Sequence, residues 1–499
     1  MHPRQLHSIL QGTLIGAHDD RPYRSTFVRI AHAISGQIKM NLRQQAIDAA
    51  YAQFDTGTFQ AHLADLIAVP SESQRPNAAP GLGQYIDTIA PLYGALGFET
   101  ETVRDAVTGL PFLIATRHQD ADLPTILSYG HGDTVLGMTG EWTNDRDPFA
   151  LSEAGPLWYG RGIVDNKGQH LVNLMALSGV LDARDGRLGY NLIVIIEMGE
   201  EVGSPGLRTL CADRKDQFKA DLFLASDGPR QSAKQPTVFL GARGGYGVEL
   251  RIKRREGGRH SGNFGGLLAN PGTELANAIA SIVDANGHLK IAAWAPPNIP
   301  AATRAALENV IPAGGEIDPG WGAPGLTPAE RVHAWSSAEV LAFSCGDPHQ
   351  PMNAIPPEAW AHLQLRYVVG VDPDQILPAL RQHLDTHGFA HVTLTPSETA
   401  FAASQTPIGH PFAQFIAGSI TDTFGARPTI LPSLGGSLPN DIFTDLLGLP
   451  AVWVPHSYPG CSQHAPNEHV PAALFREALG LMAGIWWDIG DAGRADLGI

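Results

Sequence analysis

The sequence predicts an α/β fold in which a main domain is interrupted by a second, smaller domain. Up to about residue 240, apolar strand-like runs alternate with helical stretches. Residues 241–398 instead follow the order strand–helix–strand–strand–helix–strand, which is typical of a ferredoxin-like domain. After residue 398, strand-like runs and helical stretches alternate again as they do before residue 240. The predicted division is therefore an N-terminal extension at 1–39, a main domain at 40–240 and 399–499, and an inserted domain at 241–398.

The helices and strands before residue 240 are predicted from the spacing of apolar residues along the chain. Residues 42–69 have the period of an amphipathic helix pair, and residues 81–96 predict another helix. Helices are also expected at 168–181 and 207–217. Short apolar runs bounded by turn residues predict buried strands between these helices. The runs are PFLIATR, TILSYGHGDT, NLIVIIEMGEE and DLFLASDG.

The inserted domain begins where the pattern becomes alternating. GYGVELRIKR alternates apolar and polar residues, as a half-buried antiparallel strand does, and a helix is expected at 273–286. After an irregular, proline-rich stretch at 292–335 come the strands VLAFSC and AWAHLQLRYVV, a helix at 374–387 and the strand HVTLTP. Beyond residue 400, HPFAQFIAGSITDTFG predicts a helix and PAVWVP a strand of the main domain.

Composition excludes several classes of protein. With 499 residues, 43% of them hydrophobic, the chain can bury a sizeable core and is not disordered as a whole. A net charge of −16 argues against a nucleic-acid or anionic-membrane surface as its main partner. The three cysteines are far apart and form no disulfide framework. No run of 18 apolar residues occurs, and the N-terminus lacks signal-peptide features, so a cytoplasmic location is expected.

Side chains able to bind metal follow several predicted strands, where α/β folds place their ligand sites. His131 and Asp133 are two residues apart, so on an extended segment both side chains face the same way. An imidazole ligand commonly needs a carboxylate to fix its tautomer, and Asp133 is placed for that role. A turn with a capping aspartate is the alternative interpretation of this motif.

Three acidic motifs show the same placement. Asp165 lies in a glycine-rich turn before a helix, where it could bridge metal ions or cap the helix. Glu200 and Glu201 directly follow a buried run, and adjacent carboxylates repel each other unless metal or protons compensate. One of them could bind metal while the other acts as general base. Asp227 follows a further apolar strand.

A histidine after the strand-like run PAVWVP completes a set of two histidines and three carboxylates. This mix suits zinc and other divalent metals in a paired site. The set is His131, Asp165, Glu201, Asp227 and His464.

These motifs, in this order, resemble the di-zinc metallopeptidases that include carnosinases, aminoacylases, glutamate carboxypeptidases and acetylornithine or succinyl-diaminopimelate deacylases. The resemblance covers roughly residues 45–490 and implies a zinc-exopeptidase-like main domain. It implies that Asp165 bridges two metal ions, most simply Zn²⁺ with Mn²⁺ or Co²⁺ as alternatives. The remaining ligands are divided into His131 with Asp227 and Glu201 with His464.

The same resemblance implies further roles. Glu200 matches the general base and Asp133 the carboxylate behind the histidine ligand. The peptide bond between Asp165 and Asn166 is expected to be cis. In the inserted domain, His260 in RHSGNFGG resembles a lid histidine of the carnosinase-type branch, which stabilises the oxyanion in the partner subunit.

Further matches concern substrate binding and assembly. Asn353 and Arg366 resemble lid groups that hold the amide and the terminal carboxylate of the substrate. Gly436 and Ser437 lie in a loop that resembles one contacting the substrate backbone. The resemblance also implies that the inserted domain acts as a lid and pairs two subunits.

The sequence thus predicts a homodimeric, di-zinc hydrolase of dipeptides or similar carboxylate-bearing substrates. An N-acyl-amino-acid deacylase is the alternative within the same chemistry, and a non-catalytic metal-binding dimer is the alternative of another class. Retention of Glu200, which binds no metal in the resembled pattern, argues against the latter. The sequence contains no GxSxG elbow, no phosphate-binding P-loop and no GxGxxG motif that opens a helix, so other common enzyme classes are not indicated.

Overall fold

A computed structural model of the chain describes residues 40–312, 317–397 and 401–499. The predicted extension at 1–39 and the predicted boundary at 398–399 both lie outside these residues. The helices are α1 (40–55), α2 (Thr58–Ile67), α3 (Ala79–Ala95), α4 (Lys167–Ala183), α5 (Leu207–Asp213), α6 (Ser261–Phe264), α7 (Pro271–Ile282), α8 (Ala301–Leu307), α9 (Pro328–His333), α10 (Ile376–Thr386), α11 (Pro411–Phe424), α12 (Ala472–Asp491) and α13 (Arg494–Leu497).

The strands are short in the main domain and longer in the inserted one. They are β1 (Glu99–Arg104), β2 (Pro111–Arg117), β3 (Thr125–His131), β4 (Ser152–Ala154), β5 (Leu157–Tyr159), β6 (Asn191–Glu197), β7 (Leu222–Ala225), β8 (Thr237–Phe239), β9 (Gly241–Ala242), β10 (Gly244–Lys253), β11 (Arg259–His260), β12 (Ser337–Ser344), β13 (Ala354–Ile355), β14 (Glu358–Tyr367), β15 (Thr393–Pro396), β16 (Ser404–Gln405), β17 (Thr429–Leu431), β18 (Ala451–Trp453) and β19 (His469–Pro471).

A mixed eight-stranded sheet forms the centre of the main domain, in the order β1-β2-β6-β3-β7-β18-β8-β17. β3 runs parallel to β6 and β7, so the carboxyl ends of these strands meet at one edge of the sheet. All of β6 is buried, and its alternate residues belong to two separate core clusters, with Ile193 and Ile195 in one and Leu192 and Val194 in the other. The sheet is therefore covered on both faces, as its continuous apolar strands require.

The inserted segment forms an antiparallel four-stranded sheet in the order β12-β14-β10-β15. Leu363 and Leu365 of β14 point to one face, where they pack with Leu275 of α7 and Leu380 of α10. His362 and Arg366 alternate with them and are only half-buried. The order of strands and helices is the ferredoxin-like one that the sequence predicts.

Several features of the fold differ from the sequence-based expectation, among them the strand β1 and the helix α12, which are not predicted from the sequence. The stretch at 292–335 contains α8 and α9, and Leu307 and Ala329 of these helices join the core of the main domain beside Leu434 and Leu438. Part of the inserted segment thus packs on the main domain instead of on its own sheet. The three-residue strands β8 and β17 were also not predicted, because such short pieces show no period.

The remaining elements complete the main domain. α12 packs against α4 and contributes Phe475 and Trp486 to the larger core cluster. No helix in the described part of the chain combines the length and the apolar character needed to cross a membrane.

The close approach of α1 and α4 gives a test of this packing. A β-carbon added at Gly179 would lie 2.6 Å from the Ala46 carbonyl oxygen, so the helices must separate. Gly179→Ala should destabilise the main domain by about 1–3 kcal/mol. Gly94→Ala on α3 is the matched control, because no atom lies within 4 Å of the added carbon. There the better helix propensity of alanine should stabilise by about 0.5–1 kcal/mol. Thermal unfolding measures both, and equal effects of the two substitutions would contradict the packing.

Candidate metal centre

The predicted ligands meet at the carboxyl edge of the large sheet. His131 is the last residue of β3, and Asp227 follows β7 by two residues. Glu200 and Glu201 form a short turn directly after β6. Asp165 lies just before α4, and His464 approaches from the loop that follows β18. The sheet order therefore brings together residues that are far apart in the sequence.

The first ligand set is His131, Asp165 and Asp227, whose donor atoms lie within 4.8 Å of one another. His131 Nε2 lies 3.2 Å from Asp165 Oδ1 and 3.6 Å from Asp227 Oδ2. His131 is fully buried and Asp227 is nearly so. The other ring nitrogen, Nδ1, faces Asp133 Oδ1 at 3.4 Å, as expected for a carboxylate that orients a ligand imidazole.

The second set is Asp165, Glu201 and His464, again with all donor atoms within 4.8 Å. His464 Nε2 lies 3.0 Å from Asp165 Oδ2 and 3.1 Å from Glu201 Oε2. Asp165 thus belongs to both sets and turns one oxygen to each. The Asp165–Asn166 peptide bond is cis, as the resemblance implies.

Carboxylate side chains outnumber histidines at this centre. Burial raises the pKa of Glu200 well above its usual range and also raises the pKa values of Glu201 and Asp227, the last to about 6. Burial would lower the pKa of His131, but the carboxylates of Asp133 and Asp165 raise it well above its usual range. These pKa shifts are expected where several carboxylates are buried side by side, because little water is present to solvate their charges.

The donor atoms fit divalent metal ions. Asp227 Oδ2 and Glu201 Oε1 are buried and accept no hydrogen bond from any described residue, which is costly for carboxylate oxygens unless another group satisfies them. Asp227 and Glu201 each belong to one of the two ligand sets, and Asp227 Oδ2 is the oxygen that faces His131 Nε2. Imidazole and carboxylate donors of this kind suit zinc and similar ions.

Asp133 and Glu200 lie beside the ligands without joining either set. Asp133 is fully buried, and its two oxygens accept hydrogen bonds from the backbone N–H groups of Glu200 and Glu201. It therefore holds the turn that carries both glutamates as well as facing His131. This second role was not evident from the HxD spacing.

The residues predicted in the inserted domain are placed apart from this centre. His260 on β11 and Asn353, which precedes β13, are exposed, and no contact with the ligand sets is found for them among the described residues. The Asn353 carbonyl accepts a hydrogen bond from Ser261 N. Arg366 Nη1 donates to Ser437 Oγ at 2.5 Å, so these two predicted groups are brought together, next to exposed Gly436.

Sequence reasoning missed Arg161 and Glu468. Both side chains are about 1% exposed, and they form an ion pair of 2.9 Å that joins the loop before Asp165 to the loop after His464. Burial raises the pKa of Glu468 to about 7, and Arg161 opposes that rise. A buried arginine cannot be recognised from the sequence, because arginine is mostly exposed.

Comparison with known proteins places this centre in a family. Residues 127–488 match the family model described as Peptidase family M20/M25/M40. The chain is 27% identical over 395 residues to the cysteinylglycine-S-conjugate dipeptidase of Corynebacterium striatum, covering 76% of this chain and 83% of that protein. It is 35% identical over 184 residues to the Beta-Ala-His dipeptidase of Mus musculus, a match to 36% of this chain and 37% of that protein.

Solved structures agree at the level of fold. Human carnosine dipeptidase 1 has a TM-score of 0.73 at 21% identity, over 89% of this chain and 99% of that one. The dipeptidase Dug1p from Saccharomyces cerevisiae has a TM-score of 0.74 at 19% identity, with the same coverage. The predicted α/β fold is confirmed by these likenesses.

The fold and the paired ligand sets define a metallopeptidase of the α/β class. The chain belongs to Peptidase family M20/M25/M40. The prediction that it is an enzyme of this metal-dependent kind is confirmed by that membership.

The shared position of Asp165 predicts how metal binding depends on it. Asp165→Asn should weaken binding at both sites, because each set loses a carboxylate oxygen. Asp87→Asn, at an exposed position on α3, is the control and should bind as much metal as the wild type. Equilibrium dialysis followed by elemental analysis measures the bound metal. An Asp165→Asn chain that still holds two ions tightly would contradict the shared ligand.

Proposed function

We propose that the protein is a di-zinc dipeptidase that hydrolyses the amide bond of dipeptides or similar small substrates bearing a carboxylate. The observation that carries this proposal is the pair of ligand sets sharing Asp165, with Glu200 beside them but in neither set. The names of the relatives, a cysteinylglycine-S-conjugate dipeptidase and a Beta-Ala-His dipeptidase, support the substrate class. Mn²⁺ and Co²⁺ suit the same donors.

His131, Asp165, Glu201, Asp227 and His464 would hold the two ions. When bound, such ions polarise a carbonyl and lower the pKa of water. Glu200 is placed to take the proton of the attacking water and to pass it to the leaving amine. Burial raises the pKa of Glu200 above its usual range, which favours a carboxylate that accepts a proton and later returns it. Asp133 positions Glu200 by accepting a hydrogen bond from its backbone N–H.

Arg366 would bind the carboxylate end of the substrate, and Ser437 belongs to the loop that would contact the substrate backbone. The guanidinium group is a planar fork that matches a carboxylate. Ser437 Oγ accepts from Arg366 and donates to the Arg243 carbonyl oxygen at 2.7 Å, so it fixes the direction of the guanidinium. Arg243 Nε in turn donates to the Gly435 carbonyl oxygen at 2.7 Å, which holds the loop. Gly436 would contact the substrate backbone and Asn353 its amide.

The inserted domain would act as a lid and pair two subunits. β12 is an edge strand of its sheet and exposes Val340, Leu341 and Phe343, each by 44–57%. Exposed apolar residues on an edge strand are a surface that a second chain can cover. His260 is exposed and outside its own centre, so we assign it to the oxyanion of the partner subunit.

A panel of dipeptides and N-acyl amino acids tests the substrate class. The zinc-loaded protein should hydrolyse dipeptides, and preference for N-acyl amino acids would make it a deacylase instead. Glu200→Gln should retain two ions and lose kcat by about 10²–10⁴-fold, because proton transfer alone is removed. Loss of metal in this variant would show that Glu200 is a ligand, and absence of turnover by the metal-loaded wild type would contradict an enzyme of this class.

A mixing experiment tests the shared active site. His260→Ala and Glu200→Ala homodimers should both be nearly inactive. After dissociation and mixing, about half the dimers are heterodimers with one intact site of two, so activity should recover to roughly a quarter of wild type. Mass spectrometry verifies that heterodimers form. Background activity in a verified mixture would mean that His260 acts within its own chain or has a structural role.

A further inference from the structure

The buried ion pair between Arg161 and Glu468 joins the two loops that carry Asp165 and His464. The Glu468 carboxylate accepts hydrogen bonds from Gly162 N at 2.9 Å and Val164 N at 3.0 Å, in addition to Arg161 Nη1 at 2.9 Å. A buried pair of this kind adds little net stability compared with apolar residues. Its clearer effect is to fix the position of one loop against the other.

Arg161 acts on the residue that directly follows His464. Its Nη2 donates to the Ala465 carbonyl oxygen at 3.0 Å, while Nη1 is held by Glu468. The centre of the Trp142 ring lies 5.6 Å from the Arg161 guanidinium carbon. The guanidinium fork thus spans both ends of the segment from Ala465 to Glu468.

The loop of His464 needs such support. Ser462, His464 and Asn467 have φ values of 59°, 59° and 63°, a left-handed conformation that residues other than glycine seldom adopt. The His464 side chain is 56% exposed, so core packing does not hold it. The His131 side chain, in contrast, is fully buried at the end of a buried strand, and Asp133 faces its ring.

We propose that the Arg161–Glu468 pair is a positioning device that holds His464 in place for the second metal ion, an inference that rests on the proposed two-metal function. Asp165 depends less on the Arg161–Glu468 pair, because residues next to Asp165 make other hydrogen bonds. Asn166 Nδ2 donates to the Ser226 carbonyl oxygen at 2.9 Å, and Gln169 Nε2 donates to the Val164 carbonyl oxygen at 2.7 Å. Breaking the pair should therefore release one metal ion and leave the other.

Metal titration of two variants tests the proposal. Glu468→Gln removes the charge of the carboxylate, and Arg161→Lys keeps the charge but loses the fork. Zinc affinity is measured by competition with a chromogenic chelator at about pH 8, above the pKa of Glu468. Both variants should bind one ion as the wild type does and the second about 10–100-fold more weakly.

A matched control separates positioning from general stability. Asp488→Asn breaks the pair in which Arg43 Nε and Nη2 donate to Asp488 at 2.8 and 2.9 Å, away from the ligand sets. This variant should lose thermal stability and bind both ions normally. Equal weakening of both ions in the Glu468 and Arg161 variants, or no weakening, would overturn the proposal. A wild-type chain that binds fewer than two ions would instead contradict the proposed function itself.

Discussion

The crowding of carboxylates at one buried edge of the large sheet is the constraint on which the rest of the site depends. Asp165, Glu201 and Asp227 have side chains exposed by 14% or less, and they share this edge with His131. Repulsion between buried carboxylates of this kind is relieved by cations or protons. The parallel arrangement of β3, β6 and β7 is what brings the groups together, and Asp165 is the point where the two ligand sets meet.

The two ligand sets are held in place by different parts of the structure. His131 and Asp227 follow directly from buried strands and are held by the core. His464 is an exposed residue of a loop, 461–468, that is otherwise buried or half-buried. Arg161 donates to the Ala465 carbonyl oxygen of this loop and Thr143 N donates to Asn467 Oδ1, while His464 itself faces Asp165 and Glu201. The groups proposed to bind substrate come from two further parts of the chain, since Arg366 belongs to the inserted sheet and Ser437 to a loop of the main domain. A complete site thus requires three parts of the chain to keep their relative positions.

Much of this could be predicted from the sequence because long apolar strands give a clear signal. The runs that became β3 and β6 end within a few residues of His131 and Glu200, so position indicated where ligand candidates could lie. The assignment of Glu201 as ligand and Glu200 as general base comes from the family resemblance. The packing of α8 and α9 on the main domain could not be predicted, because a proline-rich stretch with two short helices shows no sustained period. The hydrogen bonds from Glu200 and Glu201 to Asp133, and the Arg161–Glu468 pair, join residues 67 or more positions apart, and no local pattern marks such contacts.

Anomalous diffraction at the zinc edge from crystals of the zinc-loaded protein tests the central claim most directly. We expect two peaks about 3.5–4 Å apart, the separation typical of two-metal hydrolase sites. One Asp165 oxygen should bind each ion, with His131 and Asp227 on one and Glu201 and His464 on the other. A single peak, or two peaks of which only one is bound by Asp165, would contradict a shared carboxylate at the centre of this site.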